Sequence, residues 1–240
     1  MRVSQRNGAS RLLGRIADQA ASMPSTLDRP HVHQLLDRLH REAARDDERG
    51  ATLTFTTGAA DDSSALRRAE ERESLYMPIS EPAGRLLYAL TRASAPALVV
   101  EFGMSYGIST LYLAAAVADT GHGQVITTEL SSTKVAATRR TLRDAGLDRV
   151  VEIREGDALR TLADLEQEIG VLLLDGWKDL YLPVLAMLEP QLVPGALVLA
   201  DDTDQDAMTD YLAFVRDPAN GYESVEFPVD DGVEISCRTA

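Results

Sequence analysis

Asp175-Gly176-Trp177-Lys178-Asp179 follows the apolar run Val171-Leu172-Leu173-Leu174, and Asp201-Asp202 follows a second run, Ala196-Leu197-Val198-Leu199-Ala200. Runs of this kind read as strands buried on both faces of a parallel sheet. Ligands of open α/β sheets collect at strand carboxyl ends, so Asp175, Asp201, Asp202 and Lys178 are expected to converge at one mouth. Three carboxylates suit a divalent cation held by oxygen ligands, and a lysine beside them suits a general base. The plainer readings are a surface ion pair between Lys178 and Asp179, worth little, and an N-cap role for Asp201-Asp202 ahead of a helix near Asp204.

A second set of acids stands at earlier strand ends. Ala97-Leu98-Val99-Val100-Glu101-Phe102 runs into Gly103-Met104-Ser105-Tyr106-Gly107. The glycines let the backbone turn sharply and approach a ligand closely. Their spacing is Gly-x-x-x-Gly, not the Gly-x-Gly-x-x-Gly of a dinucleotide loop, which disfavours a dehydrogenase. Glu101 is placed to meet a cationic amino group, and Glu129, at the end of the next strand, to accept hydrogen bonds from ribose hydroxyls. After the third strand, Glu155-Gly156-Asp157-Ala158 offers a turn whose N–H groups could read an adenine edge. Taken singly, the glycine loop could be a tight turn and Glu129 an acid stabilised by a helix dipole. Taken in order, Glu101, Glu129 and Asp157 fit one ligand with an ammonium and a ribose, namely S-adenosylmethionine.

These elements must be positioned by a repeated βα pattern, which begins at residue 97. Strands are expected near 97–102, 124–129, 150–154, 171–175 and 196–201, with helices near 107–119, 132–145, 158–168, 179–192 and 205–216. Tyr222 to Phe227 and Val233 to Cys237 leave no room for a helix between them, and Asp230-Asp231-Gly232 is a turn sequence, so an antiparallel hairpin closes the sheet. The expected fold is therefore α/β, a Rossmann-like sheet of seven mostly parallel strands with an antiparallel terminal hairpin. Helical patterns near 9–21, 29–48, 62–75 and 80–93 precede it, the last opened by Ser80 as N-cap and Pro82 in the first turn. Gly50 to Ala60 reads as a loop. The division is a helical extension over 1–75, serving as a lid or dimer contact, and a catalytic domain over 76–240.

At this point the chain resembles the class I S-adenosylmethionine-dependent methyltransferases, and within them the cation-dependent O-methyltransferases of the catechol and caffeoyl-CoA type. The most specific stretch is Asp175-Gly176-Trp177-Lys178-Asp179-Leu180-Tyr181-Leu182-Pro183, followed by Leu199-Ala200-Asp201-Asp202. The resemblance implies that Asp175 and Asp201 ligate Mg²⁺ or another divalent cation, that Lys178 is the base, and that Trp177 packs on the adenine. Met77-Pro78-Ile79-Ser80 resembles the segment flanking the methionine part of the cofactor. Gly103, Tyr106, Gly107, Ser109, Leu130, Gly156, Ala158 and Asp175 complete the implied cofactor contacts. Asp202 stands where the family usually has Asn; its extra charge should tighten a divalent ion but lessen the ion's power to acidify a phenol. Gly176 replaces the catechol enzyme's histidine.

Bulk composition bounds the rest. The 240 residues, 45% of them hydrophobic, fit one α/β domain with an extension. With 38 acidic against 24 basic residues the net charge is −14, and no basic run suggests nucleic acid. The single Cys237 excludes an internal disulfide or a multi-cysteine metal site, so the expectation is a cytoplasmic, soluble protein, and no stretch has the ~18 apolar residues of a membrane span. His31, His33 and His40 do not share one face as a metal trio and read as solvated or capping residues. The expected activity is methylation of a catechol or vicinal diol on a small, hydroxylated, aromatic acceptor by a homodimer. The alternatives are metal-independent methylation of a sugar or polyketide hydroxyl, or a silent S-adenosylmethionine-binding module, which would have no need of Lys178 and three carboxylates.

Overall fold

The computed structural model describes residues 25–50 and 62–239. Helices α1 (Pro30–Gly50), α2 (Asp62–Glu71) and α3 (Glu81–Ser94) precede strand β1 (Leu98–Phe102). Then follow α4 (Ile108–Thr120), β2 (Gln124–Glu129), α5 (Ser132–Ala145), β3 (Val151–Glu155), α6 (Ala158–Thr161) and β4 (Ile169–Leu174). The chain ends with α7 (Tyr181–Leu188), β5 (Leu192–Asp201), α8 (Thr209–Val215), β6 (Tyr222–Phe227) and β7 (Val233–Arg238). The expected helix over 9–21 and all but the first residue of the loop expected over Gly50 to Ala60 lie outside the described residues, and Gly50 itself ends α1.

The seven strands form one sheet in the order β3-β2-β1-β4-β5-β7-β6. Pairs from β3 through β5 are parallel, and β7 runs antiparallel to both β5 and β6. Alternate residues of each central strand enter opposite cores: Val99, Val171 and Leu173 face a cluster with α1, α3, α4 and α5, while Val100, Leu172 and Leu174 face one with α7 and α8. That two-sided burial is why these strands are continuous apolar runs rather than alternating ones. Val32, Leu35, Leu36 and Leu39 of α1 join the first cluster, so this part of the N-terminal segment packs into the main core.

Local signals hold at most element ends. Ser80 Oγ accepts from Ala83 N at the start of α3. Asp230 (φ 53°) and Gly232 (φ 89°) turn the terminal hairpin. Four helices are shorter than expected: α2 ends at Glu71 rather than near 75, and α8 begins at Thr209 after a 3-10 turn over Asp206–Met208 rather than near 205. The helix expected over 158–168 stops at Thr161, whose carbonyl accepts from Arg154 Nη1 at 2.8 Å; a tertiary contact has taken an acceptor that the next turn needs. The helix expected over 179–192 is a 3-10 turn (Lys178–Leu180), α7 and a second 3-10 turn (Glu189–Gln191) that contains Pro190. Among the described residues no helix is long and apolar enough to cross a membrane. His40 is half-buried rather than solvated, 3.2 Å from Tyr112 Oη, and burial lowers its pKa.

Candidate active site

Register decides which side chains meet. Phe102 pairs with both Thr128 and Leu174, Leu174 pairs with Ala200, and Glu129 pairs with Glu155. The residues that follow, Gly103, Leu130, Gly156, Asp175 and Asp201, therefore leave the sheet along one edge. A cavity of about 450 Å³ opens there, within the ~300–1,000 Å³ usual for small-molecule sites. Met77, Gly103, Glu129, Leu130, Gly156, Asp157 and Ala158 line one end of the expected set, and Asp175, Trp177, Lys178, Asp201 and Asp202 the other.

At the end of the cavity formed after β2 and β3, Glu129 is held by its backbone neighbours. Its Oε2 accepts from Ser105 N at 2.8 Å and its Oε1 from Ser131 N at 2.9 Å. Each oxygen keeps lone-pair capacity for a hydroxyl donor. Asp157 accepts from Leu159 N at 3.0 Å and so caps α6. Gly103 has φ +98°, and a Cβ there would lie 2.3 Å from the carbonyl oxygen of Asp175; the chain ends of β1 and β4 can lie this close at the cavity floor only because this residue has no side chain.

Glu101 does not line the cavity. It is fully buried beneath it, where Ser109 Oγ and Thr110 Oγ1, both in the first turn of α4, donate to its two oxygens at 2.6 Å each. Burial raises its pKa, and those hydroxyls moderate the rise. Ser109 is thereby turned away from the cavity as well. Ile79 packs in the core, Ser80 caps α3, and Gly107 caps α4 with φ 82°. Tyr106 stacks on Tyr76 at 4.3 Å and donates to Glu73 O. None of these residues forms cavity wall.

The end formed after β4 and β5 carries the strongest electrostatics. Burial pushes the Asp175 carboxyl well above its ordinary value, and the nearby Asp201 charge pushes it further, against a lowering influence from Lys178. Asp201 is pushed up to about 7 by burial and then by repulsion from Asp202. Asp202 occupies the left-handed region at φ 57°, a conformation that Asp and Asn tolerate. Lys178 Nζ pairs with Asp202 Oδ2 at 2.9 Å and donates to Tyr181 Oη at 2.7 Å. Tyr181 Oη in turn donates to the Asp201 carbonyl at 3.3 Å. The lysine is thus no surface partner of Asp179, and Asp201-Asp202 caps no helix: the next element is a 3-10 turn that begins at Asp206.

Whether these residues suit a divalent cation can be judged from their own state. The donor set is all oxygen, Asp201 Oδ1 is buried without a hydrogen-bond partner among the described residues, and the carboxylates repel one another. A cation would relieve all of this. As the side chains stand, no three potential ligands among the described residues are grouped around an ion position, and Lys178 occupies Asp202. The chemistry fits; the arrangement requires Asp202 to exchange its ammonium partner.

Several wall residues carried no sequence signal of their own. Ala65, Ala69 and Arg72 come from α2 and the turn after it, and Ser105 and Lys134 lie beside expected residues. Lys134 is buried, donates to Ser105 Oγ at 3.1 Å, and has its pKa lowered by desolvation. Gly176 is explained by Phe102, whose Cζ would lie 2.5 Å from a Cβ at that position. The ring fills the space a histidine side chain would need.

Comparison with known proteins accords with this geometry. Residues 100–203 match a methyltransferase domain family. The catechol O-methyltransferase of Mus musculus is 31% identical over 147 residues, 58% of this chain and 55% of that protein. The chain spans between about half and two thirds of the length of four curated relatives that it matches, the mouse protein among them. A methyltransferase from Geobacter sulfurreducens has the same fold, with a TM-score of 0.62 and 24% identity over 82% of this chain and 97% of its own. The O-methyltransferase TomG from Streptomyces achromogenes, solved with S-adenosylmethionine, gives a TM-score of 0.62 at 21% identity over 84% of this chain and 99% of its own. The sheet order, the strand-end acids and these relatives agree: this chain is similar to O-methyltransferases and shares the fold of the solved ones.

Proposed function

We propose that this chain binds S-adenosylmethionine and transfers its methyl group to a hydroxyl of a small molecule, with Asp175, Asp201 and Asp202 as ligands of a divalent cation and Lys178 as the base. The observation that carries the reading is the single cavity in which Glu129 and Asp157 at one end meet Asp175, Asp201, Asp202 and Lys178 at the other. Glu129 takes the ribose hydroxyls, and Trp177 packs against the adenine. Met77, exposed at the mouth and itself at φ 46°, lies along the methionine end.

Methyl transfer from a sulfonium is an in-line displacement: the S–CH₃ bond breaks as the O–CH₃ bond forms, and neutral S-adenosylhomocysteine leaves. Alignment of oxygen, methyl and sulfur is the main thing the protein supplies. A cation bound by the three aspartates would orient two adjacent oxygens of the acceptor and acidify the hydroxyl. Lys178 Nζ then takes the hydroxyl proton. It can do so only after losing its own proton to solvent, a loss that also releases Asp202 Oδ2 from its ion pair with the lysine. The ligand pattern favours a vicinal diol, of which a catechol is the aromatic case.

A second reading keeps the cofactor and omits the cation. It is favoured by the Lys178–Asp202 pair, which already supplies a positive charge to the cluster, and by Asp201, whose pKa of about 7 suits a general base. A methyl-transfer screen over catechols, sugars and aliphatic alcohols, in Mg²⁺ and in chelator, separates the two. Turnover of a diol only with Mg²⁺ supports the first reading; equal turnover in chelator supports the second.

A further inference from the structure

Arg68 of α2 binds both neighbours of Lys178 in the chain. Its Nη1 and Nη2 donate to Asp179 Oδ1 and Oδ2 at 3.0 and 3.1 Å, and its Cζ lies 4.7 Å from the centre of the Trp177 ring. A forked guanidinium on a carboxylate, stacked on an aromatic face, is the arrangement in which arginine is least replaceable. The Arg68 and Asp179 side chains are only 15% and 28% exposed, so the pair is stronger than an open surface bridge. From the same helix Ala65 and Ala69 line the cavity directly; with methyl side chains they bring the helix close to whatever lies beneath. Past α2, the chain is tied to the opposite wall, where Glu73 accepts from Tyr106 Oη at 2.9 Å through its carbonyl and from Ser131 Oγ at 3.0 Å through Oε1.

We propose that Arg68 is a positioning residue and that its pairing with Asp179 and Trp177 latches α2 over the cofactor cavity. The latch has two consequences. It fixes residues 177 and 179, and through them the direction in which Lys178 leaves the backbone. It also closes the cavity on the α2 side, so that exchange of a buried cofactor requires the Arg68 fork to part from Asp179 while Glu73 and Tyr106 hold the far end of the segment. The identity of the occupant rests on the function proposed above; the latch itself rests on contacts within the chain.

The chain has 1 tryptophan, so fluorescence excited at the red edge of the aromatic band, where tyrosine does not absorb, reports on Trp177 alone. Without cofactor, acrylamide should quench Trp177 severalfold more strongly in Arg68→Ala and Asp179→Ala than in wild type, with Arg68→Lys intermediate because it keeps the charge but loses the fork and the stack. The double variant Arg68→Ala/Asp179→Ala should be no worse than either single one, since both remove the same latch. In stopped-flow measurements with S-adenosylhomocysteine, dissociation should quicken about tenfold or more in Arg68→Ala, the loss expected for one charge-assisted fork. Turnover should also fall while the pH dependence shifts, because Lys178 is no longer held. Unchanged quenching and dissociation in a folded Arg68→Ala protein, even one with a lowered Tm, would overturn the latch. Failure of wild type to respond to S-adenosylhomocysteine would overturn the cofactor reading and, with it, the gating role, whereas the cofactor-free quenching series independently supports or overturns the closed helix.

Discussion

Lys178 Nζ lies 2.9 Å from Asp202 Oδ2, while the adjacent Asp179 is taken by Arg68. Two arginine and lysine contacts have thus been sorted between two aspartates, and the sorting leaves the lysine facing the cavity. Its ammonium is the compensating charge for three carboxylates, of which Asp201 is buried and Asp175 half-buried at the cavity wall.

Removing that charge has a stability effect separable from catalysis. Lys178→Ala is expected to lower turnover by roughly 10²–10⁴-fold, the usual range for a general base, with little change in S-adenosylhomocysteine affinity. It should also lower Tm, because Asp175, Asp201 and Asp202 then repel without compensation. Adding Asp202→Asn to Lys178→Ala should recover part of the Tm and none of the turnover. Lys178→Arg should keep the Tm and lose the turnover, since a guanidinium does not shed its proton. Near-normal turnover in Lys178→Ala on a true acceptor would remove the lysine from the base role.

Glu129→Gln and Glu129→Ala distinguish cofactor recognition from loop support. Glu129 holds Ser105 N and Ser131 N, one on each oxygen. Glutamine retains one acceptor oxygen, alanine none. Loss of a charge-assisted hydrogen bond costs about 1.5–3 kcal/mol, so calorimetry with S-adenosylhomocysteine should register a weakening of roughly tenfold to a hundredfold in the alanine variant and a smaller one in the glutamine variant. Equal affinities across all three proteins would exclude Glu129 from the ribose site.

The raised pKa of Asp201 has a sign that stability measurements can read. Its folded value is about 7, against about 3.9 in an unfolded chain. Between those values the folded state binds the proton more tightly, so this group's contribution falls as pH rises from about 4 to about 7 and is level above that. Asp119 and Glu234, whose pKa values are lowered by hydrogen bonds to Thr26 and to Arg216, act in the opposite sense but equally in both proteins compared. Asp201→Asn should therefore match wild type near pH 4 and exceed it near pH 8, by on the order of a few kcal/mol at most. Parallel curves for the two proteins would mean that the carboxyl is not raised.

Much of this site was legible because strand ends are legible. An apolar run followed by Asp or Glu fixes both a sheet position and the edge from which the acid emerges, which is why Glu129, Asp157, Asp175 and Asp201 all reached the cavity. Glu101 obeyed the same rule but was sealed by Ser109 and Thr110, two hydroxyls whose direction is set by where α4 starts on the sheet. The shortness of α6 came from Arg154, and the fit of Gly176 from the Phe102 ring; neither contact has a local sequence signature. Arg68 was least legible of all, since its partner Asp179 is 111 residues away and nothing in the pattern of α2 distinguishes it from Arg67.

The cation proposal makes the most demanding prediction. In the absence of an ion, Asp175 and Asp201 resist ionisation and Asp202 is held by Lys178. Mg²⁺ or Mn²⁺ should therefore raise Tm in a concentration-dependent way, as any ligand of the folded state does, and more strongly at pH 8 than at pH 6, because the carboxyls must release protons to bind it. Asp175→Ala should abolish the Tm shift and the turnover together. Asp202→Asn should behave differently: asparagine accepts the left-handed φ of 57° at that position and keeps an oxygen donor, so the fold and activity should survive while the ion binds more weakly. A Tm indifferent to divalent ions at both pH values, with full turnover in EDTA, would leave Asp201 and the Lys178–Asp202 pair to activate the acceptor without a metal.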